Sequence, residues 1–156
     1  MADSVEKEIH ELRTLFWSER DPEGRVFAPL ADAYRRQGDL DQALELLRDG
    51  LDHHSDFAPA LVVAGWVRRD RGETEAAAAA FEAVLELDEE NAEALRGVGE
   101  LAVARGDRPA ALESFQRLVD LEPGDREIVA RLREIEVEQG EETISQFEVK
   151  VESVPP

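Results

Sequence analysis

The chain has 156 residues, 42% of them hydrophobic and 35% charged, which suits one compact domain or a short repeat array. Its 37 acidic and 18 basic residues give a net charge of −19, which disfavours nucleic acids and anionic membranes as partners. The absence of cysteine excludes disulfides and thiolate metal sites. No stretch approaches the roughly 18 apolar residues of a membrane span, and the charged N-terminus has no signal-peptide core, so we expect a cytoplasmic protein.

The first predicted element is an amphipathic helix over residues 4–19. Its apolar residues recur at helical spacing on one face: Val5, Ile9, Leu12 and Phe16. One interpretation is a cap that docks on the helices that follow. The other is a homodimer surface, which would include Trp17.

Four glycines then recur at intervals of 34 residues: Gly38, Gly72, Gly106 and Gly140. Each closes a helix-like segment, and an acid follows the first three: Asp39, Glu73 and Asp107. A glycine lets the chain reverse through a positive φ angle, and the acid after it can cap the next helix. Four glycines in one register predict a repeat of 34 residues.

The same offset relates other positions that encode packing. Small residues recur as Ala31, Gly65 and Gly99, with facing alanines at Ala43, Ala77 and Ala111, and large residues recur as Leu47, Phe81 and Phe115. Each unit contains two apolar runs of helical period, so we predict a helical hairpin whose small residues allow close approach and whose large residues fill the space behind. Because one hairpin cannot bury its apolar face, stacked neighbours must supply the core.

These positions resemble the tetratricopeptide repeat family. Residues 24–57 carry Phe27, Leu30, Ala31, Tyr34, Ala43, Leu47 and Gly50. Residues 58–91 carry Leu61, Ala64, Gly65, Ala77 and Phe81, and residues 92–125 carry Leu95, Val98, Gly99, Ala111, Phe115 and Pro123. The chain departs from the family pattern where Arg68 and Ala102 replace tyrosine and where Ser55 and Glu89 replace proline.

The resemblance implies an all-α fold, a right-handed superhelix of antiparallel helical hairpins with about eight helices. Three repeats at 24–57, 58–91 and 92–125 are followed by a predicted capping helix at 126–139. The final residues, 140–156, lose the helical period and end in two prolines, so we predict a flexible tail.

No pattern indicates catalysis or a bound cofactor. His53 and His54 stand together at a predicted helix end, where a polar ring near the last carbonyls is favourable, and this placement is a better explanation than a metal site. Glycine-rich phosphate loops and serine-nucleophile motifs are absent from the sequence. We therefore expect no enzyme activity, no cofactor and no metal.

Charge differs between the two helices of each unit. The first-helix windows 24–37, 58–71 and 92–105 hold eight arginines and four acids, whereas the second-helix windows 39–53, 73–88 and 107–122 hold three arginines and fourteen acids. The resemblance implies that first helices line a concave groove, which here would be relatively basic. The groove residues it implies are Arg25, Asp32, Arg35, Arg36, Val62, Trp66, Arg69, Arg96 and Glu100.

Trp66 is the predicted anchor of this groove, because tryptophan and arginine are enriched among binding hot spots. A second interpretation is that Trp66 fills core space left by the missing tyrosine at Arg68, and that the arginines only pair with neighbouring acids. Chaperone C-termini are disfavoured as partners, because Ala28 and Asp32 stand where related proteins place a lysine and asparagine clamp.

We therefore predict a scaffold or adaptor that binds a peptide or protein segment with apolar and acidic side chains. The tail itself, with Phe147 and Glu148, is such a segment and is a candidate occupant of the groove. The alternative is a small acidic secretion-type or assembly chaperone that holds an unfolded cargo, as a monomer or as a homodimer through the N-terminal helix.

Overall fold

The protein is described by a computed structural model that covers residues 2–17, 21 and 23–138. Within these residues every regular element is a helix. The helices are α1 Ala2–Phe16, α2 Phe27–Gln37, α3 Leu40–His53, α4 Ala58–Asp70, α5 Thr74–Leu87, α6 Ala92–Arg105, α7 Arg108–Leu121 and α8 at 126–138. The predicted all-α fold of helical hairpins is confirmed. Gly140 and the predicted tail lie outside the described residues.

The reversal inside each hairpin is made by a glycine in the left-handed region. Gly38, Gly72 and Gly106 have φ angles of 93°, 79° and 73°. At each one the glycine N–H bonds a carbonyl three residues back and the next N–H bonds a carbonyl five residues back. This arrangement satisfies carbonyls that the helix end leaves open, and it confirms the role predicted for the repeated glycine.

The acid after the glycine caps the second helix in two hairpins of three. Asp39 accepts a hydrogen bond from the Gln42 N–H, and Asp107 accepts one from the Ala110 N–H. The prediction is wrong for Glu73, which stands at the N-cap position of α5 but whose side chain makes no capping hydrogen bond. Its longer side chain reaches Arg68 at 2.7 Å and Arg71 at 2.9 Å instead.

Contacts divide the chain into two compact units, Met1–Gly97 and Val98–Pro156, with the boundary inside α6. In the first unit, α1 docks on α2, where Ile9 packs with Leu30 and Ala33. The other three residues of the predicted apolar face, Val5, Leu12 and Phe16, pack against the same cluster. This packing favours the cap interpretation of α1 and leaves Trp17 80% exposed.

The predicted pairing of small with large residues is confirmed in both units. A Cβ atom added to Gly65 would lie 2.5 Å from the ring of Phe81, and one added to Gly99 would lie 2.8 Å from the ring of Phe115. Both phenylalanines are buried. The helices can approach this closely only because the glycines carry no side chain.

A third close approach belongs to the first hairpin. A Cβ atom added to Gly50 would lie 2.2 Å from the Phe27 ring. The positions 34 and 68 residues later hold Val84 and Leu118, which are buried. At Gly50 the first hairpin has no side chain, and the ring of Phe27 fills the space that Val84 and Leu118 fill in the other two hairpins.

None of the described helices has both the length and the apolar run that crossing a bilayer requires.

Candidate partner-binding face

Six of the nine predicted groove residues lie on α2 and α4, and Arg25 lies just before α2. We call this surface of the first unit the α2–α4 face: Arg25, Asp32, Arg35, Arg36, Val62, Trp66 and Arg69. The two helices contact each other directly. The other two predicted residues, Arg96 and Glu100, lie on α6, on either side of the boundary between the units.

Arg35 joins the two helices of the face. Its Nε lies 2.9 Å from Asp32 Oδ1 on the same helix, and its Nη1 lies 3.1 Å from Asp70 Oδ2 on α4. Arg69 reaches the same carboxylate from the other side, with its Nη2 2.9 Å from Asp70 Oδ1. Asp70 therefore pairs with both Arg35 and Arg69, one at each carboxylate oxygen.

Arg36 turns toward α1. Its Nη1 and Nη2 donate to both carboxylate oxygens of Glu8, at 3.0 and 2.7 Å, and its Nε donates to Asp32 at 3.1 Å. The hydrogen bonds that Arg36 donates to Glu8 raise the pKa of Arg36. Since α1 docks beside α2 and brings Glu8 within reach, Arg36 anchors the cap in addition to lying on the predicted face.

Trp66 exposes only 9% of its surface, so the interpretation of this residue as an exposed anchor is wrong. Its ring meets the Phe81 ring edge-on, with the two centroids 4.8 Å apart. The Arg69 guanidinium carbon lies over the Trp66 ring, 4.5 Å from its centroid. Edge contact between aromatic rings and stacking of a cation on a ring both favour this burial. The structure supports the core-filling interpretation.

The remaining residues of the face are partly exposed. Val62 is half-buried one helical turn before Trp66. Arg25 pairs with Glu23 at 3.1 Å, and its guanidinium lies 5.3 Å from the Phe57 ring. Arg96, a predicted groove residue outside this face, is half-buried on α6. Arginines 25, 35, 36 and 69 all pair with carboxylates. This agrees with the interpretation that the arginines pair with neighbouring acids.

Glu100 belongs to the second unit and to a different cluster. Both of its carboxylate oxygens accept from Arg131 of α8, at 3.3 and 3.0 Å, and Arg131 also reaches Glu134 at 3.1 Å. The hydrogen bond with Glu100 raises the pKa of Arg131. Glu100 therefore fastens α8 to α6 within the second unit.

Sequence reasoning missed the partners Glu8 and Arg131. The pairs of Asp32 with Arg35 and Arg36 could have been found, because residues three and four apart share a helix face. Glu8 is 28 residues from Arg36, and Arg131 is 31 residues from Glu100. No local spacing signals such contacts, since they depend on how separate helices dock.

The two adjacent histidines, His53 and His54, contact neighbouring groups of the protein. His53 Nδ1 lies 3.0 Å from the Asp49 carbonyl oxygen in the last turn of α3, as its predicted position at a helix end suggests. His54 stacks on Phe27 with ring centroids 6.1 Å apart. Across the described residues, no group of three or more histidine and acidic side chains is arranged to hold a metal ion.

Comparison with known families identifies the fold. Two family models described as tetratricopeptide repeat match residues 28–57 and 62–126. The chain belongs to the tetratricopeptide repeat family. The resemblance drawn from the 34-residue period is thereby confirmed.

Solved structures agree with this assignment. A thermophilic TPR protein from Thermus thermophilus is 24% identical, with a TM-score of 0.74 over 86% of this chain and 74% of that chain. MamA is 19% identical, with a TM-score of 0.71 over 95% and 87% of the two chains. The first TPR of Spaghetti (RPAP3), bound to the HSP90 peptide SRMEEVD, is 19% identical, with a TM-score of 0.69 over 74% and 94%. These likenesses show the fold alone, and the comparison with curated proteins finds no match.

Proposed function

We propose that this protein is an interaction scaffold and that its α2–α4 face binds a peptide or protein segment with acidic and apolar side chains. The observation that carries the proposal is the pair of guanidinium groups, Arg35 and Arg69, held together by Asp70. Val62, Trp66 and Arg69 stand at helical spacing on α4, so apolar and cationic groups share one stripe.

The charge of this face differs from that of the protein as a whole. Arg35, Arg36 and Arg69 balance Glu8, Asp32 and Asp70 in the connected ion pairs, whereas the chain carries −19. An acidic segment is therefore repelled less here than by the second helices, which hold most of the acids. A guanidinium has five N–H donors, and Arg35 and Arg69 each leave some for a partner carboxylate after pairing with Asp70.

Apolar side chains of the partner have a place on the same stripe. Val62 is half-buried and offers its methyl groups, while the Arg69 guanidinium covers the Trp66 ring. A partner side chain that displaces Arg69 gains contact with the aromatic face, and the released guanidinium can pair with a carboxylate of the same partner. The face thus places arginines, a residue type enriched in binding hot spots, beside an apolar stripe.

Peptide binding by this fold is supported by the first TPR of Spaghetti, which is bound to an HSP90 peptide. A chaperone C-terminus remains a poor match for this chain. Asp32 puts a carboxylate at the position of the clamp, and Ala28 is buried in the core, so neither side chain can bind a terminal carboxylate.

Affinity capture from cells of the source organism tests the proposal with three forms of the protein. The double variant R35Q/R69Q removes the paired guanidinium groups, and the control R48Q/R126Q removes two exposed arginines from α3 and α8. We expect the wild type and the control to retain the same polypeptide and R35Q/R69Q to lose it. Equal capture by all three forms would refute binding at this face. A captured partner that is unfolded and protease-sensitive along its length would favour the chaperone alternative.

A further inference from the structure

A second candidate surface lies in the first unit, away from the residues that define the α2–α4 face. A pocket of about 540 Å³ opens where the end of α1 and the start of α2 meet α3. Its volume falls in the range of small-ligand sites and is large enough for one or two side chains. Phe16, Trp17, Phe27 and Leu46 form its apolar walls.

Trp17 is the unusual member of this set. It exposes 80% of its surface, and its ring meets Phe16 edge-on with centroids 5.1 Å apart. Trp17 lies together with Phe16 and Leu46 at this pocket, and contiguous apolar surface left in water marks interaction sites. The backbone of Gly50 also lines the pocket, and a side chain there would collide with Phe27.

The rim of the pocket is acidic. Glu45 and Asp49 stand four residues apart on one side of α3, and both are exposed. The same rim carries His53 and His54. Arg13 lines an adjoining pocket of about 200 Å³, which shares Phe16, Trp17, Gln42 and Leu46 with the larger one.

We propose that this pocket binds a basic protein segment in which a large apolar side chain is flanked by lysine or arginine. The apolar side chain enters between Trp17 and Leu46, and the flanking cations pair with Glu45 and Asp49. A cation can also stack on the exposed indole of Trp17. This ligand is opposite in charge to the segment proposed for the α2–α4 face, so the two surfaces would bring different partners together.

Charge argues against two other occupants. A second copy of this chain would bring a net charge of −19 to an acidic rim. The chain's own residues 141–156 contain four glutamates and one lysine, so they too carry the wrong sign. Electrostatic complementarity selects between partners chiefly by repelling those of like charge.

The test uses the full chain labelled with 5-fluorotryptophan, whose two fluorine resonances report Trp17 and Trp66 separately. The probe is a synthetic peptide with a central phenylalanine–leucine pair flanked by two lysines on each side. Two control peptides replace the lysines by glutamates or the central pair by alanines. We expect only the probe to shift the Trp17 resonance, and we expect Trp66 to stay in place.

Two double variants test whether the acidic rim binds the probe. E45Q/D49N should weaken binding of the probe about tenfold at low salt, and Trp17→Ala should weaken it by a similar factor. E82Q/E86Q removes two exposed acids of the same spacing from α5 and should leave the affinity unchanged. Equal weakening by both double variants, a shift of Trp66 alone, or a concentration-dependent Trp17 shift without peptide would each overturn the proposal. None of these outcomes depends on whether the α2–α4 face binds its own partner.

Discussion

Arg69 and Trp66 form a stacked pair at the centre of the α2–α4 face, with the guanidinium carbon 4.5 Å from the ring centroid. The arrangement makes one residue part of the core and the other part of the surface. Trp66 contributes packing against Phe81, while the Arg69 side chain is 40% exposed and pairs with Asp70 at the surface. Substitutions at Trp66 and Trp17 should therefore change the free energy of unfolding by different amounts.

Replacing Trp66 with alanine should lower the free energy of unfolding by about 3–5 kcal/mol, because a large buried ring leaves a cavity beside Phe81. Replacing Trp17 with alanine should change it by less than about 0.5 kcal/mol, because that ring is mostly in water. Urea denaturation followed by circular dichroism measures both. Similar losses for the two variants would contradict the burial described for Trp66.

Gly99 and Phe115 should be energetically coupled. In the first hairpin the equivalent positions hold Ala31, which is larger than Gly99, and Leu47, which is smaller than Phe115. Gly99→Ala places a Cβ 2.8 Å from the Phe115 ring, and we expect overpacking to cost about 1–3 kcal/mol. Adding Phe115→Leu should remove about 1 kcal/mol or more of that cost. A double-mutant cycle measures the coupling, and strictly additive losses would contradict the close contact.

Much of the fold could be predicted because its determinants are local. The turn at Gly72 and the pairing of Gly65 with Phe81 follow from residues that recur every 34 positions. The candidate site was less predictable. Whether Trp66 faced solvent depended on where Arg69 would place its guanidinium, and the bond from Arg36 to Glu8 depended on how α1 docks. Helical periodicity predicts neither the position of a side-chain guanidinium nor the docking of one helix on another.

Gly72→Ala should destabilise the protein by about 1–2 kcal/mol, because an L residue at a φ of 79° is strained even though open space surrounds the position. Gly124→Ala is the matched control. Its Cβ also meets open space, and its φ lies outside the left-handed region, so the change should be neutral or stabilising by up to about 1 kcal/mol. Thermal unfolding compares the two. Equal effects would show that the turn does not depend on the glycine conformation.

The carboxyl group of Glu73 should titrate below the ordinary glutamate value of about 4.3. The hydrogen bond from Arg68 lowers its pKa most, followed by the one from Arg71. Since the folded pKa is depressed, the contribution to stability is present above the unfolded pKa and is lost as pH falls through the folded one. Carbon-13 NMR of the side-chain carboxyl measures the midpoint. Arg68→Gln should raise it, and an unchanged midpoint in that variant would contradict the assigned cause.

The central claim is that a partner segment lies on the α2–α4 face, and site-specific photo-crosslinking tests it most directly. A benzoylphenylalanine at position 62 replaces half-buried Val62, and a control at position 82 replaces exposed Glu82 on α5. We predict that position 62 crosslinks one polypeptide in cells, that the attached segment contains acidic and apolar residues, and that position 82 does not capture it. Capture of that polypeptide from position 82 and not from position 62 would contradict the claim.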